Sequence, residues 1–539
     1  PRRKMTMGQG QGAASVERLR DEVQSVRYRE ATDTFCRLVT EESRPLKDMI
    51  KAAIAAAAPY VQVPSHLMRL PSGELRGVNY DHTILGWRGA IALMAELRGA
   101  RGILPNVQAM WYAPQGLNVW EQVTCQFPGH YARDGEQCNR QFPGPDASVN
   151  RFDGPAWNPP KIYFEEHAPI EGGTVDDRLA RMSWAIAEGD KAEAYGLFLG
   201  LAKDPDHRRR LKDAILLAGI IDLQDTIINR GGYQNIGHKA LRARALVDIA
   251  DYLGWDNANE LIYTVVPDLG CSPRLYGLWS EISTICRMEL PGQASIPKRS
   301  DKPPCERELD RLTEAIVWGG PFDVNAAIMS LFKRGAGVLD VGDAVTVCFQ
   351  PYLIDVLEHP NAFLHPTHAL DYMNVVQSWI RHYDNPHQVK AVFMGARFMN
   401  DTIRSNAIFP RDPAFSLEPR HNHRAWADGI ALDRLLPVLT EHVLAQDAPR
   451  SCALVDSYLD RTGERHDLLD TITYAACHWQ NDPHVMRNCS SSLEEFRHNR
   501  TSRRDDIIRG FVKHQSRYIK RAPTHDCYRV YVDYFGQTA

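Results

Sequence analysis

The sequence predicts an all-α, mainly helical protein whose centre is two related helical halves packed on a shared core. Three observations lead there. Apolar residues recur at three- and four-residue spacing over most of the chain, and strand-like alternation is rare. Segments about 130 residues apart also resemble each other without a gap, as stacked helical units do.

Taken in order, residues 1–30 begin basic and then turn Gly/Gln-rich, without the apolar core of a signal peptide. They read as a loose tail. Residues 31–113 form an N-terminal helical region, with amphipathic periods at Ala31–Val39 and Thr83–Leu97. Residues 114–169 break the period with Gly, Pro and aromatics, and Gln126-Phe127-Pro128-Gly129 returns as Gln141-Phe142-Pro143-Gly144. A loop excursion of that length is often a lid or a binding segment.

The first helical half, 170–290, carries periods at Leu211–Ile228 and Lys239–Leu253. A Pro/Ser/Lys-rich linker, 291–304, leads into the second half, 305–405, with a period at Ala369–Ile380. Across the halves Ala185-Ile186 matches Ala315-Ile316, Gly189 matches Gly319, Asp213-Ala214 matches Asp343-Ala344, and His238 matches His368. The C-terminal region, 406–539, is helical again at Leu432–Leu444 and closes on Cys527–Phe535, the clearest alternation in the chain. That alternation predicts a short terminal strand. It would pair with the excursion or with a second copy, which makes a homodimer the expected assembly in the second case.

Composition narrows the function classes. The 539 residues are 44% hydrophobic and 24% charged, ordinary for a chain that buries large cores. A net charge of −4 supplies no field that would draw nucleic acid or an anionic membrane. No apolar run reaches the roughly 18 residues of a spanning helix. The 11 cysteines are dispersed, with no Cys-x-x-Cys, which suits a reducing cytoplasm. No Gly-x-Gly-x-x-Gly, P-loop or Gly-x-Ser-x-Gly element is present.

One constellation carries candidate chemistry. Each half returns an Asp at a helix end and a His at the next helix start: Asp225 then His238, and Asp355 then His368. At 100° per residue His238 lines up with Leu241, Ala245, Ile249 and Leu253, and His368 with Tyr372, Val375 and Trp379. His82 opens a third such helix, in line with Leu85, Gly89 and Leu93. His82, His238, His368, Asp225 and Asp355 are therefore candidate ligands for a non-haem iron, manganese or zinc ion. Inward imidazoles can equally transfer protons, which makes His238 and His368 candidate catalytic residues. Trp111, Tyr112, Trp120 and Trp157 are candidate walls of a substrate pocket. Against this stands the plainer reading, in which each inward His, like the pair His368/Asp371, is a satisfied core residue.

At Asn235-Ile236-Gly237-His238-Lys239-Ala240-Leu241-Arg242 and Leu364-His365-Pro366-Thr367-His368-Ala369-Leu370, the chain resembles the questin oxidase-like proteins. The resemblance spans about Ala185 to Asn400. It implies a mainly helical oxidoreductase, with oxidative ring opening or a Baeyer–Villiger-type monooxygenase reaction on an aromatic or polyketide-like substrate. The N-terminal region and the excursion have no counterpart in it. The expectation is a helical oxidoreductase with a buried, His-lined, metal-binding site for a hydrophobic small molecule. The alternative is a helical scaffold or partner-binding protein whose histidines are structural.

Overall fold

The computed structural model describes residues 9–25, 27–61, 66–69, 75–78, 83–117, 168–223, 237–257, 266, 269, 276–406, 413–478, 483–518 and 526–536. Its helices fall into successive units of one plan. The first unit is α1 (Gln9–Gln24), α2 (Tyr28–Thr40), α3 (Leu46–Val61) and α4 (Thr83–Leu93), with α5 (Leu104–Leu117) following. Between α3 and α4 lies a two-stranded antiparallel hairpin, β1 (His66–Arg69) and β2 (Leu75–Val78), with His66 opposite Val78. The second unit is α6 (Val175–Glu188), α7 (Lys191–Ala202), α8 (Pro205–Ile221) and α9 (His238–Leu253), followed by α10 (Gly277–Glu289). The third is α11 (Glu306–Thr313), α12 (Pro321–Lys333), α13 (Val338–Pro351) and α14 (Leu364–His382), followed by α15 (Gln388–Ser405). After the short α16 (Arg424–Asp428), the fourth is α17 (Leu432–Leu444), α18 (Ala448–Arg461), α19 (His466–Ala476) and α20 (His484–His498). Helices α21 (Asp505–Gln515) and α22 (Asp526–Phe535) end the chain.

The ends of these helices are written locally. Thr174, Asp190 and Asp204 each accept a first-turn amide with the side chain, at Asp177, Glu193 and Asp206. Gly189 closes α6 in the left-handed conformation that glycine enters without strain. Packing repeats as well as order: in every unit the first helix packs on the second and third, and the third packs on the fourth. The sequence match between 170–290 and 305–405 thus falls on α6–α9 in the first half, and in the second on α11–α14 with the π-helical turn Glu314–Trp318 that continues α11.

The fourth helices close a ring, with α4 on α9, α9 on α14, α14 on α20 and α20 on α4. A helix enclosed on all sides is buried all round, and α14 is buried without a break from His365 to Ile380. Residues equally far past the facing histidines meet across this ring. Arg487 meets Asp371, and Arg244 meets Asn374, each pair equally spaced from His484 and His368 or from His238 and His368. Such register requires parallel helices, so their N-termini share one end of the ring.

Beyond the first turns the ring holds buried charge instead of more apolar packing. Arg88 donates to Ser490 and Asp248, Arg244 to Asn374, Asp248 and Glu494, and Arg381 to Glu494 and Glu495. Although burial works against it, the guanidiniums of Arg244, Arg381 and Arg88 hold Glu494 far below the usual carboxylate range. Taking such charges out of water offsets much of what their attraction contributes to stability.

Several expectations are corrected here. The segment expected as a loose tail, 1–30, contains α1, with Leu19 and Val23 fully buried. The expected excursion is helical at its start, since Pro114 lies inside α5, and residues 118–167 of it lie outside the described residues. The helix expected to run to Ile228 stops at Ile221, with Asp222 at its C-cap. The predicted strand Cys527–Phe535 is helix α22, packed on α2 and α5. Its spacing serves both structures: Cys527, Val530 and Tyr531 form one helical face, and all three are buried. The helix wins because it satisfies its backbone internally while that face is covered. The swapped-strand basis for a homodimer goes with the strand.

Candidate functional site

The site is built at the shared N-terminal end of the ring. Gly237 precedes α9 with φ of 84°, and a Cβ there would meet Tyr372 Cβ at 3.2 Å and Phe398 Cε1 at 3.3 Å. Only glycine meets both demands, the left-handed backbone and the close approach to α14. His238 is thereby the first residue of α9, facing His368 one turn into α14. Proline is tolerated in a helix's first turn, and Pro366 sits there in α14. His484 opens α20 directly after Pro483.

The three imidazoles meet in the interior. His238 Nε2 and His368 Nε2 are 3.0 Å apart, and the His368 ring lies 4.9 Å from both the His238 and His484 rings. Burial extends beyond them, through Tyr518 beside His484, His514 beside Tyr518 and Phe363 beside His514. His368 Nδ1 lies 2.6 Å from the Leu364 carbonyl, which can only accept. The proton is therefore on Nδ1, and Nε2 presents a lone pair toward His238. Burial first, then the charge of Arg487 and the neighbouring His238 and His484, holds the His368 pKa well below 6.5. His368 is a neutral imidazole at physiological pH.

The other expected residues are placed as follows. Asp355 lies in a π-helical turn at the end of α13 with its side chain 57% exposed, facing Arg420 and not the histidines. It is not part of the site. A partly exposed aspartate beside an arginine needs no interior partner. Trp111 and Tyr112 are buried on α5, and the Trp111 ring packs on Tyr28. His82, Asp225, Trp120 and Trp157 lie outside the described residues, though α4 starts immediately after His82. Among the described residues no group of three or more His, Cys, Asp or Glu is gathered so as to hold a metal ion. A cleft of about 550 Å³ opens at the other end of the ring, lined by Arg244, Asp248, Ser378 and His382.

No protein family, curated protein or solved structure matches this chain. Function therefore has to be argued from the site itself.

Two site features escaped the sequence reading. His484 repeats the His-at-helix-start pattern, but the step from His368 to His484 is shorter than that from His238 to His368, so a fixed offset misses it. The buried acid at the end of α8 is Asp222, paired with Lys239, and both side chains are wholly buried. A lysine beside an inward histidine on an apolar helix was the available signal.

Proposed function

We propose that this chain is a helical oxidoreductase that acts on an aromatic or other hydrophobic small molecule at the buried histidine layer. Its candidate cofactor is a non-haem iron, manganese or zinc ion. The observation that carries this reading is the approach of His238 Nε2 to His368 Nε2 at 3.0 Å, away from water. Imidazole nitrogen is a ligand type that iron and zinc accept. His368 also donates its other ring nitrogen to a carbonyl, as metal-binding histidines do. The pair offers two donors of the kind such an ion takes, and His238 and His368 would hold it.

Bound there, the ion supplies Lewis-acid or one-electron chemistry. The chain's own part is separate. The Leu364 carbonyl fixes the His368 tautomer, burial keeps that imidazole neutral, and the Tyr518 ring lies against His484. Without an ion, a neutral His368 is still a base that can accept a proton at Nε2.

A second reading also has an observation behind it. With no three-ligand group among the described residues, His238 and His368 can form an ordinary N–H···N bond inside a scaffold. Elemental analysis of the purified full chain separates the two. The oxidoreductase reading expects stoichiometric iron, manganese or zinc, lost in His238→Ala and in His368→Ala. It also expects oxygen uptake with hydroxylated aromatics, reduced by about a hundredfold or more in either variant. A wild-type chain that takes up no metal and consumes no oxygen across that panel leaves the scaffold reading standing.

A further inference from the structure

Arg487 is the fourth residue of α20, one turn past His484, and it is only 1% exposed. Its Nε donates to Asp371 Oδ2 at 2.6 Å, while Asp371 Oδ1 accepts from Asn488 Nδ2 at 3.2 Å. Among the described residues Nη1 and Nη2 have no hydrogen-bond partner. An arginine that grips a carboxylate for structure does so best with two parallel N–H···O bonds. Here the carboxylate holds the guanidinium by Nε, and its buried Nη end is unpaired among the described residues. Buried donors are almost always paired, and an open cationic one marks a place for a water, an ion or a ligand.

The surroundings favour negative charge. Arg487 lies close enough to His368 to help depress its pKa, which places the cation beside the histidine layer. The parallel ring brings helix N-termini to that same end. The N-cap residues of α9 and α20, Gly237 and Pro483, have no polar side chain to cap the first amides. Uncapped first turns and the positive ends of helix dipoles attract anions. The second, independent feature is Arg487 itself.

We infer that the Nη end of Arg487 receives an anionic oxygen, so that the molecule bound beside the histidines is an aromatic anion: an ionised hydroxy-aromatic or an aromatic carboxylate. The aromatic part rests on the function proposed above; the anion site does not. Asp371 is the positioning residue, since it holds Nε and turns the open donors toward the ligand.

Calorimetric titration of the full chain with naphthoate and with its neutral amide tests this directly. Naphthoate should bind about tenfold or more tighter than the amide, as expected for a hydrogen bond to a charged group. Arg487→Met should bring the two within about twofold, and Arg487→Lys should keep part of the preference. Equal affinities, no binding of naphthoate, or an unchanged preference in Arg487→Met would mean that the Nη end holds water only. The wild-type comparison needs no variant, so it stands even if Arg487→Met fails to fold. A bromide soak read by anomalous scattering adds a second measurement: bromide within hydrogen-bond reach of Arg487 supports the site, and its absence there counts against it. A chain with metal and oxygen uptake but no anion preference loses only this inference. One with the preference but no oxygen uptake loses only the oxidoreductase reading.

Discussion

His368 cannot take a proton in its buried site as easily as it can in the unfolded chain, and that difference ties stability to pH. Its folded pKa lies well below the usual 6.5 because of burial, Arg487 and the neighbouring histidines. Between those two values the unfolded state binds the extra proton. Its contribution is therefore fully present above about 6.5 and is lost as pH falls from there toward the folded value. Melting midpoints measured from neutral to mildly acidic pH should fall more steeply for the wild type than for His368→Gln. Asp343, raised to about 6 chiefly by burial, titrates in the same window with the opposite sign. It is common to both proteins and cancels in the difference. Parallel curves would mean that His368 takes its proton as easily in the fold as in the unfolded chain. At this scale the sequence was informative for His238 and His368, because a polar residue on an apolar helix face stands out. Asp355 was misjudged, since nothing in a single sequence tells a helix end that faces the core from one that faces an arginine on the surface.

Where α8 meets α9, two elements are joined by one buried ion pair. Lys239 donates to Asp222 and to the Leu269 carbonyl at 3.1 Å, and both charged side chains are wholly buried. The backbones are close as well: a Cβ on Gly219 would come within 2.7 Å of the Lys239 carbonyl oxygen. Removing one partner strands a charge in the interior. Lys239→Met and Asp222→Leu should each destabilise by about 3–5 kcal/mol, and the double variant should cost far less than their sum. Additive losses in denaturant titrations would show that the pair is not coupled. Helix existence and type were legible for α2, α9, α14 and α17, whose apolar period is long. The aromatic-rich segment of α22 was not, because Tyr and Val at these positions satisfy a period of two and a period near 3.6 equally well.

The whole molecule stacks four units of one plan so that their last helices enclose one another. Helix α22 joins the chain's two ends, since it packs on α2 and α5 and Tyr534 donates to Asp33 at 2.8 Å. Truncation after Thr524 should therefore destabilise the fold, at about 1.5–3 kcal/mol for each large buried side chain removed. The melting midpoint should fall while the mass in solution stays as it was. A truncated chain with half the mass and an unchanged midpoint would show that α22 works between copies.

The helical class, most of the central helices and the repeat that relates α6–α9 to α11–α14 were determined by the sequence alone. The reason is that apolar period and caps act within a few residues of chain. The closed ring, the meeting of His238, His368 and His484, and the open end of Arg487 were decided only by tertiary structure. Each depends on which helices become neighbours and in what register, and that is set by packing between residues more than a hundred positions apart.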